Sequence, residues 1–236
     1  MAARKKRIAL LGKGPGRGLA PRVKTKGVQI WGINNVWVGQ YVDMIIDIHD
    51  LDWTVEEARA HYTHIEDMFP EEELMRRARQ RIRTFKLTKE KAIRDNIPIM
   101  SQKTYVLDGV PVPGFRFPLE KIVEKYDCDN FTSATAYGIA YAIYRKVTHL
   151  DLYGINCKYD EEWGKQRDAV VGWLMYAKAL GVKVTVSGEA ERPLRTWDGR
   201  LYGFNTLQRA KGVPDKDANV NLETGVQAYF DVWREY

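Results

Sequence analysis

Short apolar runs, each broken off by glycine or polar residues, recur through the chain. Arg7-Ile-Ala-Leu-Leu-Gly12, Val28-Gln-Ile-Trp-Gly-Ile-Asn34 and Tyr41-Val-Asp-Met-Ile-Ile-Asp-Ile-His49 each read as a strand. Runs of this length bounded by turn formers suit strands covered on both faces. Residues 54–95 lose the pattern and read as polar and helical. Ile97-Pro-Ile-Met100 gives a short fourth strand, and residues 101–119, with Pro111, Pro113, Gly114 and Pro118, read as a loop. Thr132 to Arg145 is an apolar helix whose Ala134, Ala136, Ala140 and Ala142 allow close packing. His149-Leu-Asp-Leu-Tyr-Gly154 is a strand, Glu161 to Leu180 a helix stopped by Gly181, and Lys183-Val-Thr-Val-Ser187 the last clear strand. Residues 188–220 read mostly as loop. Leu222 to Tyr236 reads as a terminal helix that packs on its own domain or serves an interface.

Strands alternating with helices predict an α/β fold: a mostly parallel sheet, helices on both faces, and a helical insertion at about residues 52–96 after the third strand. The sheet domain spans residues 1–205, and residues 206–236 form a C-terminal extension. In such sheets a ligand sits beyond the C-terminal strand ends.

With 236 residues, 44% hydrophobic and 29% charged, the chain can bury a sizeable core, so a disordered chain is excluded. No apolar run approaches the ~20 residues of a membrane span. The first strand follows Met1-Ala-Ala-Arg-Lys-Lys without a signal-peptide apolar stretch. Cys128 and Cys157 make neither a disulfide framework nor a zinc site. A soluble cytoplasmic protein without a metal is the expectation.

The net charge of +6 changes the picture only once it is located. Residues 1–50 hold nine Lys/Arg and three acids; residues 51–73 one Arg and eight acids; residues 74–95 nine Lys/Arg and two acids; the remainder is neutral. The acidic and basic blocks cancel, either as two paired helices of opposite charge or as solvated faces. The stretch from Arg76 to Arg94 also offers a face for a nucleic-acid backbone. The uncancelled excess lies around the first glycine-rich loop, which points to a phosphorylated small molecule.

That loop is Gly12-Lys13-Gly14-Pro15-Gly16-Arg17-Gly18. Alternate glycines let a backbone approach a phosphate, and Lys13 and Arg17 add charge. No Gly-Lys-Ser/Thr ends it, and the third glycine of a dinucleotide fingerprint falls on Arg17, so neither standard loop is present. The second strand ends in Asn34-Asn35, suited to the hydroxyls of a ribose or sugar but lacking the acid of an NAD site. The third ends Asp47-Ile-His49-Asp50. Strand alternation puts Asp47 and His49 on one face, either as a general base with its carboxylate or as a structural histidine. Thr132-Ser133 opens the alanine-rich helix as a cap, an anion site, or both. Asn156, Lys158 and Tyr159 follow the next strand, where Tyr159 and Lys158 suit a leaving phosphate.

Several of these segments resemble a family of small Rossmann-like proteins encoded in tailed-phage and prophage genomes. They are Ile8-Ala-Leu-Leu-Gly-Lys-Gly-Pro15, Gln29-Ile-Trp-Gly-Ile-Asn-Asn35, Ile46-Asp-Ile-His49, Ile97-Pro-Ile-Met100, Phe131-Thr-Ser-Ala-Thr-Ala-Tyr-Gly138, Leu152-Tyr-Gly-Ile-Asn156, Gln166-Arg167 and Leu201-Tyr-Gly203. The resemblance implies a nucleotide-binding domain and the cytoplasm of an infected bacterial host. A more distant resemblance, to bacterial single-domain CMP-sialic-acid-dependent sialyltransferases, runs through Gly12 to Pro15, Asn34, His49, Thr132-Ser133 and Gly154-Ile155-Asn156 with Tyr159. The chain departs from it at Lys13, Ala134 and Asn156 and has no histidine after His149. It therefore implies the fold and a pocket for a nucleotide or sugar nucleotide rather than sialic-acid transfer itself.

Three functions are compatible with this reading. One is a glycosyltransferase-like transferase using a nucleotide-linked donor. Its phosphates would lie on Gly12, Lys13, Gly14, Gly16, Arg17, Thr132, Ser133 and Lys158, with Asn34, Asn35 and Asn156 as polar contacts. Its base would be His49 with Asp47 or Asp50, and its acceptor modified DNA or another hydroxyl. The second is a nucleotide-sequestering anti-defence protein, and the third a phage structural or packaging-associated protein. Homo-oligomerisation stays open.

Overall fold

The computed structural model describes residues 6–14, 16–155 and 161–187; for residues 63–65 and 161–165 it describes the backbone alone. The chain divides into two compact units, Met1–Arg195 and Thr196–Tyr236. The second unit, with the helix expected over Leu222–Tyr236, lies outside the described residues, as do Asn156, Lys158 and Tyr159.

The strands are β1 (Arg7–Leu11), β2 (Val28–Ile33), β3 (Met44–Ile46), β4 (Ile99–Ser101), β5 (Val106–Leu107), β6 (Val110–Pro111), β7 (Gly114–Arg116), β8 (His149–Tyr153) and β9 (Lys183–Ser187). The helices are α1 (Val55–Ala60), α2 (Glu71–Asp95), α3 (Leu119–Tyr126), α4 (Ala134–Tyr144) and α5 (Glu161–Ala179). Seven strands form one sheet in the order β7-β4-β3-β2-β1-β8-β9. Every pairing in it is parallel. The strands grow outward from β1 to β7 on one side and resume at β8 on the other. This is a Rossmann-like α/β fold whose topological switch point lies between β1 and β8.

Both faces of the sheet are covered, which explains the continuous apolar runs. Along β1, Ile8 and Leu10 join a core with Ile139 of α4 and Trp173 of α5, while Ala9 and Leu11 join a second core with Phe85 and Ala92 of α2. Ala136, Ala140 and Ala142 of α4 are fully buried. No helix among the described residues is long and apolar enough to cross a membrane.

The insertion between β3 and β4 consists of α1, a short 3-10 turn and α2. Thr54 and Glu57 form a reciprocal capping box at the start of α1, satisfying two amides that would otherwise lack partners. The acidic and basic blocks are not two opposed helices. Glu71, Glu72 and Glu73 are the first turn of α2 and the arginines follow on the same helix, an order that complements the helix macrodipole. Arg59 of α1 closes the corner through a two-pronged bond to Glu71, at 3.0 and 2.6 Å.

The stretch expected as loop, 101–119, holds the β5–β6 hairpin and the edge strand β7. Gly114 lets β7 lie so close to β4 that a Cβ there would collide with the Ile99 carbonyl oxygen. Prolines and a glycine that argue for a loop in isolation here serve an edge strand.

Candidate functional site

The third strand runs on past Ile46 and delivers Asp47 and His49 to the α2 side of the sheet. Asp47 Oδ1 accepts both the His49 amide, at 3.2 Å, and His49 Nδ1, at 2.6 Å. The carboxylate is 3% exposed, and a buried carboxylate needs such partners to offset its lost hydration. In the neutral imidazole this pairing puts the proton on Nδ1 and leaves Nε2 its lone pair. The backbone here is clamped from the β4 side: Tyr105 Oη donates to the His49 carbonyl at 3.2 Å, and Gln102 Nε2 donates to the Ile48 carbonyl at 2.5 Å. Trp53, His61 and Phe85 hold the imidazole in ring contacts at 5.9 Å for Trp53 and for His61, both edge-on, and 5.9 Å for Phe85.

Helix α2 passes over these strand ends and encloses a cleft of 220 Å³. Its floor carries Lys13, Asn34, Asn35, Asp47 and His49, and its roof Arg77, Gln80, Arg81 and Thr84. The four roof residues recur at i, i+3, i+4 and i+7, one stripe of a helix. A neighbouring stripe of Leu74, Ala78, Phe85 and Ala92 is buried in the core. Trp37 Nε1 donates to Thr88 Oγ1 at 3.2 Å, tying the turn that carries Asn34 and Asn35 to α2. Asn34 occupies the left-handed region at φ 54°, which asparagine tolerates better than most residues.

Among the described residues, three buried polar atoms on residues lining this cleft have no hydrogen-bond partner: Asn34 Oδ1, Asn35 Oδ1 and Arg81 Nη1. Buried polar groups are almost always paired, which sets these three apart. The field is positive. Arg77 is partly neutralised by Glu73 at 2.8 Å and lies over Phe69. Arg81 lies over Tyr62 at 5.1 Å. Lys13 is an exposed residue. Its ammonium nevertheless sits below the ordinary lysine value, first through burial and then through repulsion by Arg81 and Arg17, with Asp47 opposing. Among the described residues, no group of three His, Cys, Asp or Glu side chains is arranged to hold a metal.

The other expected site residues are placed differently. The amides of Gly12 and Gly14 donate to the carbonyls of Tyr153 and Gly154, both at 2.8 Å. A Cβ on Gly12 would lie 2.5 Å from the Gly154 oxygen. These glycines join β1 to β8 at the switch point, and their two N–H groups are already engaged. Gly16, at φ 86°, starts the 3-10 turn that carries Arg17, whose carbonyl accepts Gln40 Nε2 at 3.3 Å. Asp50 turns away from His49: it pairs with Lys103 at 2.9 Å. Its carboxyl is held below the usual range because Lys103 and the Asp52 amide outweigh its partial burial. Ser133 caps α4 by accepting the Ala136 amide at 3.3 Å, and α4 lies on the opposite face from α2. Thr132 stands one residue earlier, at the same helix start. Ser133→Ala will therefore lower stability by about 1 kcal/mol, seen as a lower thermal midpoint, without changing affinity for a ligand of the cleft.

The cations from Arg76 to Arg94 divide between the cleft, the core edge and an exposed side of α2 that carries Arg76, Arg79, Arg83, Lys86 and Arg94. Arg77 and Arg81 line the cleft; Lys89 is 8% exposed and paired with Asp52 at 2.7 Å. Arg76 pairs with Glu73, and Lys91 and Arg94 pair with Asp95.

The fold and the cleft define a Rossmann-like α/β protein with an insertion roofing a cationic, histidine-bearing pocket. No family model, curated protein or solved structure matches the chain.

Proposed function

We propose that the protein is a transferase, glycosyltransferase-like, that takes a group from a nucleotide-linked donor held in this cleft. The observation that carries the reading is the His49–Asp47 pair beside three atoms without a hydrogen-bond partner, Arg81 Nη1, Asn34 Oδ1 and Asn35 Oδ1. Cations and amides alone suffice to bind an anion. A histidine whose Nδ1 is fixed by a buried carboxylate adds an oriented proton acceptor. In the proposed reaction the acceptor hydroxyl oxygen forms a bond to the anomeric carbon while the carbon–phosphate oxygen bond breaks. The hydroxyl proton passes to His49 Nε2. Arg81 and Lys13 meet the charge gained by the departing phosphate. The cleft is smaller than the ~300–1,000 Å³ of typical ligand sites, so it takes one moiety of the donor, and the remainder lies outside it.

Incubation with a panel of nucleotide sugars, followed by mass spectrometry of bound and released species, tests this reading. A cleaved donor is the expected outcome. Release of an intact nucleotide would support sequestration instead.

Lys13 adds a pH dependence. Its charged form, which binds the anion, is present below its lowered pKa. Affinity therefore falls as pH rises, before the ordinary lysine value of 10.5 is reached. The loss is about tenfold for one charge-assisted hydrogen bond. The Lys13→Arg variant stays charged and keeps its affinity. Calorimetric titrations of both proteins across the alkaline range check this; equal losses would remove Lys13 from the site.

A further inference from the structure

We infer that the moiety held under α2 is a phosphorylated sugar, its phosphate on Arg81 and Lys13 and its hydroxyls on the side-chain carbonyls of Asn34 and Asn35. This rests on the reading that the cleft takes a phosphorylated ligand. The complementarity follows from the partnerless atoms. Arg81 Nη1 is a donor and requires an acceptor; Asn34 Oδ1 and Asn35 Oδ1 are acceptors and require donors. A bare inorganic anion satisfies the first and not the other two. An uncharged sugar supplies hydroxyls but brings no charge to Arg81 and Lys13, which share Asp47 as the one carboxylate among the residues lining the cleft, Arg77 being paired with Glu73. A ligand that carries a phosphate next to adjacent hydroxyls answers both needs.

The cleft does not suit a nucleobase. Bases are held by stacking on an aromatic face. Of the two aromatic rings lining the cleft besides His49, Tyr62 is covered by the Arg81 guanidinium and Phe85 packs against His49 and Trp53. Arg81, on the Arg77-Gln80-Arg81-Thr84 stripe, then brings the insertion into the recognition.

The same chemistry is found in a free sugar phosphate and in the ribose phosphate of a nucleotide. Calorimetry with ribose 5-phosphate, ribose, inorganic phosphate and UMP separates the cases. Ribose 5-phosphate binds at least about tenfold more tightly than inorganic phosphate or ribose, the factor expected for leaving buried acceptors unpaired. Asn35→Ala lowers ribose 5-phosphate affinity about tenfold and leaves inorganic phosphate affinity unchanged, whereas Arg81→Gln weakens both. Asn34→Gly, which accepts the positive φ, repeats the loss at the neighbouring position, and thermal melts confirm folding. UMP binding more tightly than ribose 5-phosphate, with the same Asn35 dependence, identifies the nucleotide as the source; equal or weaker UMP binding identifies a free sugar phosphate. Inorganic phosphate binding as tightly as ribose 5-phosphate, or no binding of either, overturns the inference. Sugar phosphate binding without turnover of any nucleotide-linked donor removes the transferase and leaves this inference standing. Turnover insensitive to Asn35 does the reverse.

Discussion

His49→Gln will lower donor turnover about 10²–10⁴-fold and change ligand affinity little. Glutamine can still donate a hydrogen bond to Asp47, so the carboxylate keeps a partner and the cleft keeps its shape. It cannot accept a proton at neutral pH. The loss therefore falls on the chemical step rather than on binding, and single-turnover kinetics separate the two. Asp47→Asn makes the complementary case. An asparagine amide can donate to Nδ1, which moves the imidazole proton to Nε2 and removes the lone pair from the reacting side. Its turnover will fall without loss of the ring itself. A His49→Gln enzyme as fast as the wild type would leave the histidine a structural residue, one of the two readings its sequence context allowed.

Gly154→Ala will destabilise the protein by about 3 kcal/mol or more. The residue sits at φ +63°, a region that costs other residues on the order of 1–3 kcal/mol. A Cβ there would meet the carbonyl oxygens of Gly14 at 2.7 Å and Gly12 at 2.8 Å, both backbone atoms with no rotamer to relieve them. Gly27→Ala is the control: its φ is +79° but nothing lies within 4 Å, so only the backbone penalty applies, about 1 kcal/mol. Chemical denaturation of the pair isolates the contribution of the loop-to-loop approach. Equal shifts would show that β1 and β8 are not locked at the switch point. The same outcome would return Gly12 and Gly14 to the pool of free amides available to a phosphate.

The two features differ in how far the sequence showed them. A glycine-rich loop after a first strand, flanked by Lys13 and Arg17, carries the look of a phosphate cradle. Its spacing does not reveal that the Gly12 and Gly14 amides have partners in Tyr153, the last residue of β8, and Gly154, the residue after it. That information is tertiary. Asp47 and His49 were legible, because a two-residue period fixes their common face whatever the fold. The choice between Asp47 and Asp50 was not, since it depends on Lys103 reaching back from the far end of β4. The strand run and the parallel sheet were legible for the same reason as the dyad: apolar runs covered on both sides have few alternatives. The edge strand β7 was hidden by the flanking Pro113 and Pro118 and by Gly114, whose missing side chain is what permits the pairing. The cleft's roof was hidden by charge. Arg76 to Arg94 reads as a block when residues are counted. Read at helical spacing, Arg77, Gln80, Arg81 and Thr84 form one stripe beside the apolar one, and that signal was available without coordinates. Which stripe met the strand ends required knowing that the insertion folds back over β3.

The account stands on a ligand held between Arg81 and the strand ends. The most direct measurement is mass spectrometry of wild-type and Arg81→Gln protein after incubation with the nucleotide-sugar panel and removal of unbound material. The wild type will retain and cleave a donor, and Arg81→Gln, equally folded, will retain none. Equal retention by both proteins would contradict the account, because the ligand would then lie somewhere other than under α2.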